Sequence, residues 1–107
     1  MSEIIVVLCT IPPDVAESLA RLLVEKKVAA CVNIVPGARS IYRWEGRVAE
    51  DEESVLVIKT TAGRFAELCA LIKSSHPYTV PEIIALPASD GNPDYLAWVR
   101  ESVEPEP

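Results

Sequence analysis

The sequence predicts an α+β sandwich with one layer of sheet and one of helix. Two observations carry this. Short, β-branched apolar runs alternate with amphipathic stretches in the order β-α-β-β-α-β, followed by one more helical stretch. The first half is also echoed by the second: a strand ending at Thr10 leads into a helix and a strand, and a strand ending at Thr60 does the same. Two right-handed β-α-β halves of this kind close into a ferredoxin-like sandwich, with both helices on one face of the sheet.

Each element has a local reason. Ile4 to Cys9 is a short, continuous, β-branched run, as a buried strand requires. Pro12-Pro13-Asp14 stops it and opens a helix, because proline is tolerated in a first turn. Val15, Leu19, Leu22 and Leu23 share one helical face, and Lys26 and Lys27 are expected in the last turn, where the helix dipole favours cations. Val28 to Val35 reads as a second strand, Pro36-Gly37 as a bend or bulge, and Ala38 to Trp44 as its extended continuation. Glu45-Gly46 is a tight turn, and Ser54 to Lys59 is the third strand. Thr60-Thr61 is expected to cap a helix bearing Phe65, Leu68, Cys69 and Ile72. A loop from Ser74 to Pro81 leads to a fourth strand, Glu82 to Leu86. Asn92-Pro93 caps a last helix with Tyr95, Trp98 and Val99. The whole chain, residues 1–107, reads as one domain, with a flexible tail from about residue 103.

Composition narrows the function. Net charge is −6, with 16 acidic against 10 basic residues, which argues against a nucleic-acid partner. The one Phe and the lack of an aromatic-basic motif argue against RNA on the open sheet face. The loop after Thr10 holds two prolines and no glycine, a poor phosphate cradle. No targeting segment or membrane span is read, so the expected location is the cytoplasm, where Cys9, Cys31 and Cys69 stay reduced. No C-x-x-C pair is present, which argues against a closed zinc site. Half of the residues are hydrophobic, more than one small core readily absorbs, so some apolar surface is expected to meet another subunit.

Several stretches, in order, carry a resemblance. They are Leu8-Cys9-Thr10, Ala29-Ala30-Cys31-Val32-Asn33-Ile34 with Pro36-Gly37, and Ser40-Ile41-Tyr42-Arg43-Trp44-Glu45-Gly46. Ile58-Lys59-Thr60, His76-Pro77-Tyr78 with Pro81-Glu82-Ile83, and Tyr95-x-x-Trp98 follow. The set resembles the CutA1 divalent-cation-tolerance family. The resemblance implies a trimeric ferredoxin-like fold, a link to tolerance of copper and other divalent cations, and no established enzymatic activity. The family's copper ligands, carried over by motif, fall on Cys9 and on Ser75-His76. Serine replaces the first histidine of a pair, so one imidazole is missing and copper binding is expected to be modest.

The residues support a metal reading of their own. In sheet order 4-1-3-2 the end of the first strand lies beside the start of the fourth. Cys9, His76 and Glu82 could converge there, and thiolate and imidazole suit copper or zinc. Buried packing of Cys9 and a rigid His-Pro turn are the alternative. Cys31 and Cys69 read as core filler, and Glu50-Asp51-Glu52-Glu53 as a solvated charged stretch. Tyr42, Trp44, Tyr95 and Trp98 are expected at a trimer interface, because aromatics are favoured anchors. A cysteine enzyme built on Cys9 and His76 lacks a third orienting residue, so a binding protein is expected, with no obligatory cofactor, and itself and metal ions as partners. The alternative is a PII-like signalling trimer that takes a small molecule in clefts between subunits.

Overall fold

The computed structural model of the protein describes residues 3–105. Met1 and Ser2, and Glu106 and Pro107 of the expected tail, lie outside the described residues. The elements are β1 (Ile4–Ile11), α1 (Pro13–Glu25), β2 (Cys31–Trp44), β3 (Arg47–Thr61), α2 (Phe65–Ser75), β4 (Ile84–Pro87) and α3 (Pro93–Ser102). The sheet order is β2-β3-β1-β4, with every neighbouring pair antiparallel.

Strand alternation sorts the sheet into two faces. Ile5, Val7, Cys9 and Ile11 of β1 point to the helical side, together with Leu56 and Ile58 of β3. There they meet Ala16, Leu19 and Leu23 of α1 and Leu68 and Ile72 of α2 in the main core. The opposite face carries Val6 and Leu8 of β1, Val55 and Val57 of β3, and Ile84 and Leu86 of β4. α3 covers only one end of that face, where Val99 and Val103 pack with Ile4 and Ala30. Val103 is therefore buried, and the free tail does not begin there.

Three local expectations are corrected. Lys26 and Lys27 follow the last turn of α1 and do not lie in it. Lys27 takes φ 59°, and the Val28 amide donates to the Leu23 carbonyl at 3.1 Å while the Lys27 amide donates to Val24 at 3.0 Å. This pair of bonds closes the helix as a Schellman motif, with Val28 and Leu23 packed in the core. Thr60 and Thr61 do not cap α2. They end β3, a 3-10 turn (Ala62–Arg64) intervenes, and the Thr60 hydroxyl donates to the Val28 carbonyl at 2.7 Å. Cys31 is not core filler: it pairs with Lys59 on the face away from α1 and α2 and is half-buried. Cys69 is half-buried on α2.

The bulge and turn of the long hairpin are as expected. The β2–β3 register shifts between Val35 and Ala38, so Pro36 and Gly37 together face the single residue Ser54, and Gly37 sits at φ 78°. At the far end Glu45 and Gly46 take φ 51° and 77°, the two left-handed residues of a tight hairpin turn. β3 is longer than its apolar run predicts. It continues unbroken for 15 residues, so the acidic run lies within a strand and the hairpin stands out as an arm. The molecule's longest extent is 45 Å.

Candidate functional site

The end of β1, the exit of α2 and the root of the arm meet at one place. α2 stops at Ser75 because Pro77 follows His76, and the residue before a proline is pushed into extended backbone; His76 has ψ 139°. That turn aims the imidazole back at β1. Its Nε2 donates to the Thr10 carbonyl at 2.8 Å, and its Nδ1 accepts from the Tyr78 amide at 3.0 Å. An amide can only donate, so the second bond assigns the proton to Nε2. The His76 and Tyr78 rings lie 4.8 Å apart.

Tyr78 reaches across to the arm and donates its hydroxyl to Glu53 Oε2 at 2.9 Å. Glu53 is only 4% exposed. Burial, and next the bond to Glu53, push the Tyr78 phenol up to about 12. A cavity of about 730 Å³ opens here, bounded by Thr10, Glu53, Tyr78 and Glu82 on one side and by Tyr42 and Trp44 of the arm on the other.

Cys9, next to Thr10 of the lining, points to the helical side of the sheet and has no exposed surface. Its thiol is pushed up to about 12, chiefly by burial and then by the carboxylates of Glu82 and Glu53. Its sulfur lies 3.7 Å from the Thr10 carbonyl. Thus β1, α2 and the β4 approach bring Cys9, His76 and Glu82 to one end of the sheet. As they stand, these residues do not fit a copper centre. The thiolate is the ligand form, and the Cys9 thiol is wholly buried, so a metal ion would have to reach it and displace its proton. The imidazole's one lone pair is already taken by the Tyr78 amide. Among the described residues, no three His, Cys, Asp or Glu side chains are grouped to hold one metal ion.

Tyr42, Trp44, Tyr95 and Trp98 do not form one cluster. Tyr42 and Trp44 lie on the arm, and Tyr42 bonds Asp51. Tyr95 and Trp98 stack on α3 with centroids 5.5 Å apart. All four are substantially exposed, Trp44 at 54%. Sequence reasoning misses Glu53 and Tyr78. Glu53 stands last of four consecutive acids that look solvated, and it pairs with Ala38 just past the bulge. The one available signal is Pro36-Gly37, which shifts the register just where Glu53 lies.

Residues 5–102 match the model of the CutA1 divalent ion tolerance protein family. The chain belongs to the CutA1 family. Among its relatives, the divalent-cation tolerance protein CutA of Thermus thermophilus is 56% identical over 98 residues, covering 91% of this chain and 95% of that one. Human Protein CutA is 48% identical over 90 residues; the match covers 84% of this chain and 50% of the human protein. Among solved structures, the Thermus thermophilus protein superposes with TM-score 0.92 at 54% identity, covering 94% of this chain and 99% of the other. The PII-like protein CutA from Nostoc superposes with TM-score 0.88 at 32% identity, covering 94% and 97%. This CutA1 chain is thus a member of a divalent-cation-tolerance family with a PII-like structural neighbour. Among the described residues no helix is long and apolar enough to cross a membrane.

Proposed function

We propose that this CutA1 chain is a binding protein that works as a closed homotrimer and not as a catalyst. The observation that carries this reading is the second face of the sheet. Val6, Leu8, Val55, Val57, Ile84 and Leu86 form a continuous apolar surface that α3 covers only at one end. Ile84 is 52% exposed and Leu86 46%. Both edge strands, β2 and β4, also offer unpaired backbone groups to a neighbour. An apolar sheet face of this extent is stable in water only when covered, and a second and third copy of the same chain can cover it. The arm aromatics Tyr42 and Trp44, and Tyr95 and Trp98 on α3, would anchor the rim. The three free thiols suit a reducing compartment such as the cytoplasm.

The state of the thiol–imidazole pair supports binding over turnover. Cys9 is held protonated in the core, and His76 spends both ring nitrogens on the backbone. Copper or a similar cation at Cys9, His76 and Glu82 would have to displace those bonds, so such binding is weak and secondary in this reading. A second reading is PII-like binding of a small molecule in the clefts. What favours it is the cavity of about 730 Å³, a volume typical of small-molecule sites.

Size exclusion with light scattering tests the assembly. The expected mass is three times the 11.7 kDa of one chain. Val57→Lys, which puts a charge on the apolar face, should release monomers that keep the wild-type far-UV circular dichroism. A wild-type mass of one chain at micromolar protein would sink the trimer.

A further inference from the structure

The cavity at the root of the arm has a one-sided chemistry. Among the described residues its lining carries two carboxylates, Glu53 and Glu82, three aromatic rings, Tyr42, Trp44 and Tyr78, and no lysine or arginine. Glu53 is almost wholly buried, and a phenol hydroxyl alone is a weak counterpart for a desolvated carboxylate. Arg39, which faces Glu52 across the arm, pairs with Glu50 at 2.8 Å. An occupant with positive charge would therefore be held, and an anion repelled.

The walls decide which kind of cation. A hard divalent ion asks for about six to eight oxygen ligands, and the described residues group no such set. Ile41 and Val80 add apolar surface to the aromatic rings. Such walls attract a weakly hydrated organic cation through ring faces and apolar contact, and they offer a hydrated metal ion little. We propose that this cavity binds a small organic ammonium compound, its charged nitrogen at Glu53 and Glu82 and its carbon skeleton against Trp44 and Tyr42. The proposal rests on small-molecule binding in the cleft, the second reading of the function, and deepens it by naming the ligand class.

Calorimetric titration of the full chain in its assembled state tests it, with 1,4-diaminobutane and tetramethylammonium as probes. Sodium citrate, glycerol and magnesium chloride serve as the anionic, neutral and inorganic comparisons. Binding of at least one ammonium probe is expected, and of none of the comparisons. Glu53→Gln keeps an acceptor for the Tyr78 hydroxyl but removes the charge, and should weaken binding about tenfold or more. Trp44→Leu, read only in protein that light scattering shows still assembled, should weaken it several-fold, and Glu17→Gln, on α1 and outside the cavity, should leave it as it was. If Glu53→Gln does not fold by circular dichroism, Glu82→Gln takes its place. Equal affinity in the charge-removing variant overturns the proposal. Binding of glycerol or citrate but of no ammonium probe also overturns it and leaves the cleft reading standing. Binding of none of the probes removes both.

Discussion

The two halves of β3 make a sharp contrast within one strand. From Ser54 to Thr61 the strand alternates: Ser54, Leu56, Ile58 and Thr60 are buried, and the residues between them lie on the apolar outer face. From Arg47 to Glu52 it is exposed on both faces except for the half-buried Ala49, with Val48 70% exposed. The boundary falls at Glu53, which pairs with Ala38, the first residue after the Pro36-Gly37 bulge. Backbone pairing is the same on both sides. What differs is whether a helix layer lies against the strand. The inner half is therefore part of the fold, whereas the outer half is a paired ribbon whose side chains await another surface. A hairpin alone is marginal in water, so the arm depends on the inner half for its register.

The largest expected effect tests that division directly. Leu56→Ala should destabilise by about 2–5 kcal/mol, because it opens a cavity among Cys9, Leu23 and their neighbours. Val48→Ser on the arm should stay within about 0.5 kcal/mol by the same urea titration. A loss at Val48 as large as at Leu56 would mean that the arm is folded into the cooperative core.

The next effect is one of pH. Cys9, the register partner of Leu56, holds its thiol proton to about 12 in the fold against an ordinary 9.0. Tyr78, which ties the loop to Glu53, holds its phenol proton to about 12 against 10.0. Both folded values are raised, so the unfolded chain releases protons first as pH rises. Stability is then fully present below about pH 9 and declines between about 9 and 12. Cys9→Val and Tyr78→Phe should each flatten that decline in denaturation series run from neutral to alkaline pH. An unchanged alkaline slope in both variants would refute the Cys9 thiol and the Tyr78 phenol as its origin.

A local effect lies at the arm's tip. Gly46 has φ 77°, and a Cβ there would meet nothing within 4 Å. Gly46→Ala should therefore cost only backbone strain, about 1–2 kcal/mol of local hairpin stability. Amide exchange should speed up at the tip and remain slow at Leu56 and Ile58. Faster exchange at both would erase the contrast between the halves.

Legibility in the sequence follows the same boundary. Strand order, the helix-covered core and the Asn92 cap of α3 can all be read from periodicity and turn chemistry. The Asn92 side chain accepts from the Asp94 amide at 3.0 Å, as an N-cap should. The candidate site is half legible. The topology brings Cys9, His76 and Glu82 to one end, but residue type alone does not tell whether a histidine's lone pair is free. Nor does the run of four acids tell that its last member turns inward.

The sequence by itself determined the family, the order of elements and the faces of α1 and β1. These follow from local periodicity and from ordered motifs, which need no partner to be read. Only the tertiary structure decided that His76 is locked between Thr10 and Tyr78, that Glu53 is buried under a phenol, and that Cys31 faces outward. Each of these depends on contacts between residues far apart in the chain. His76 and Thr10 are 66 positions apart, and Tyr78 and Glu53 are 25. At such separations the sheet register, with its shift at Pro36-Gly37, sets which side chains meet, and no local pattern encodes it.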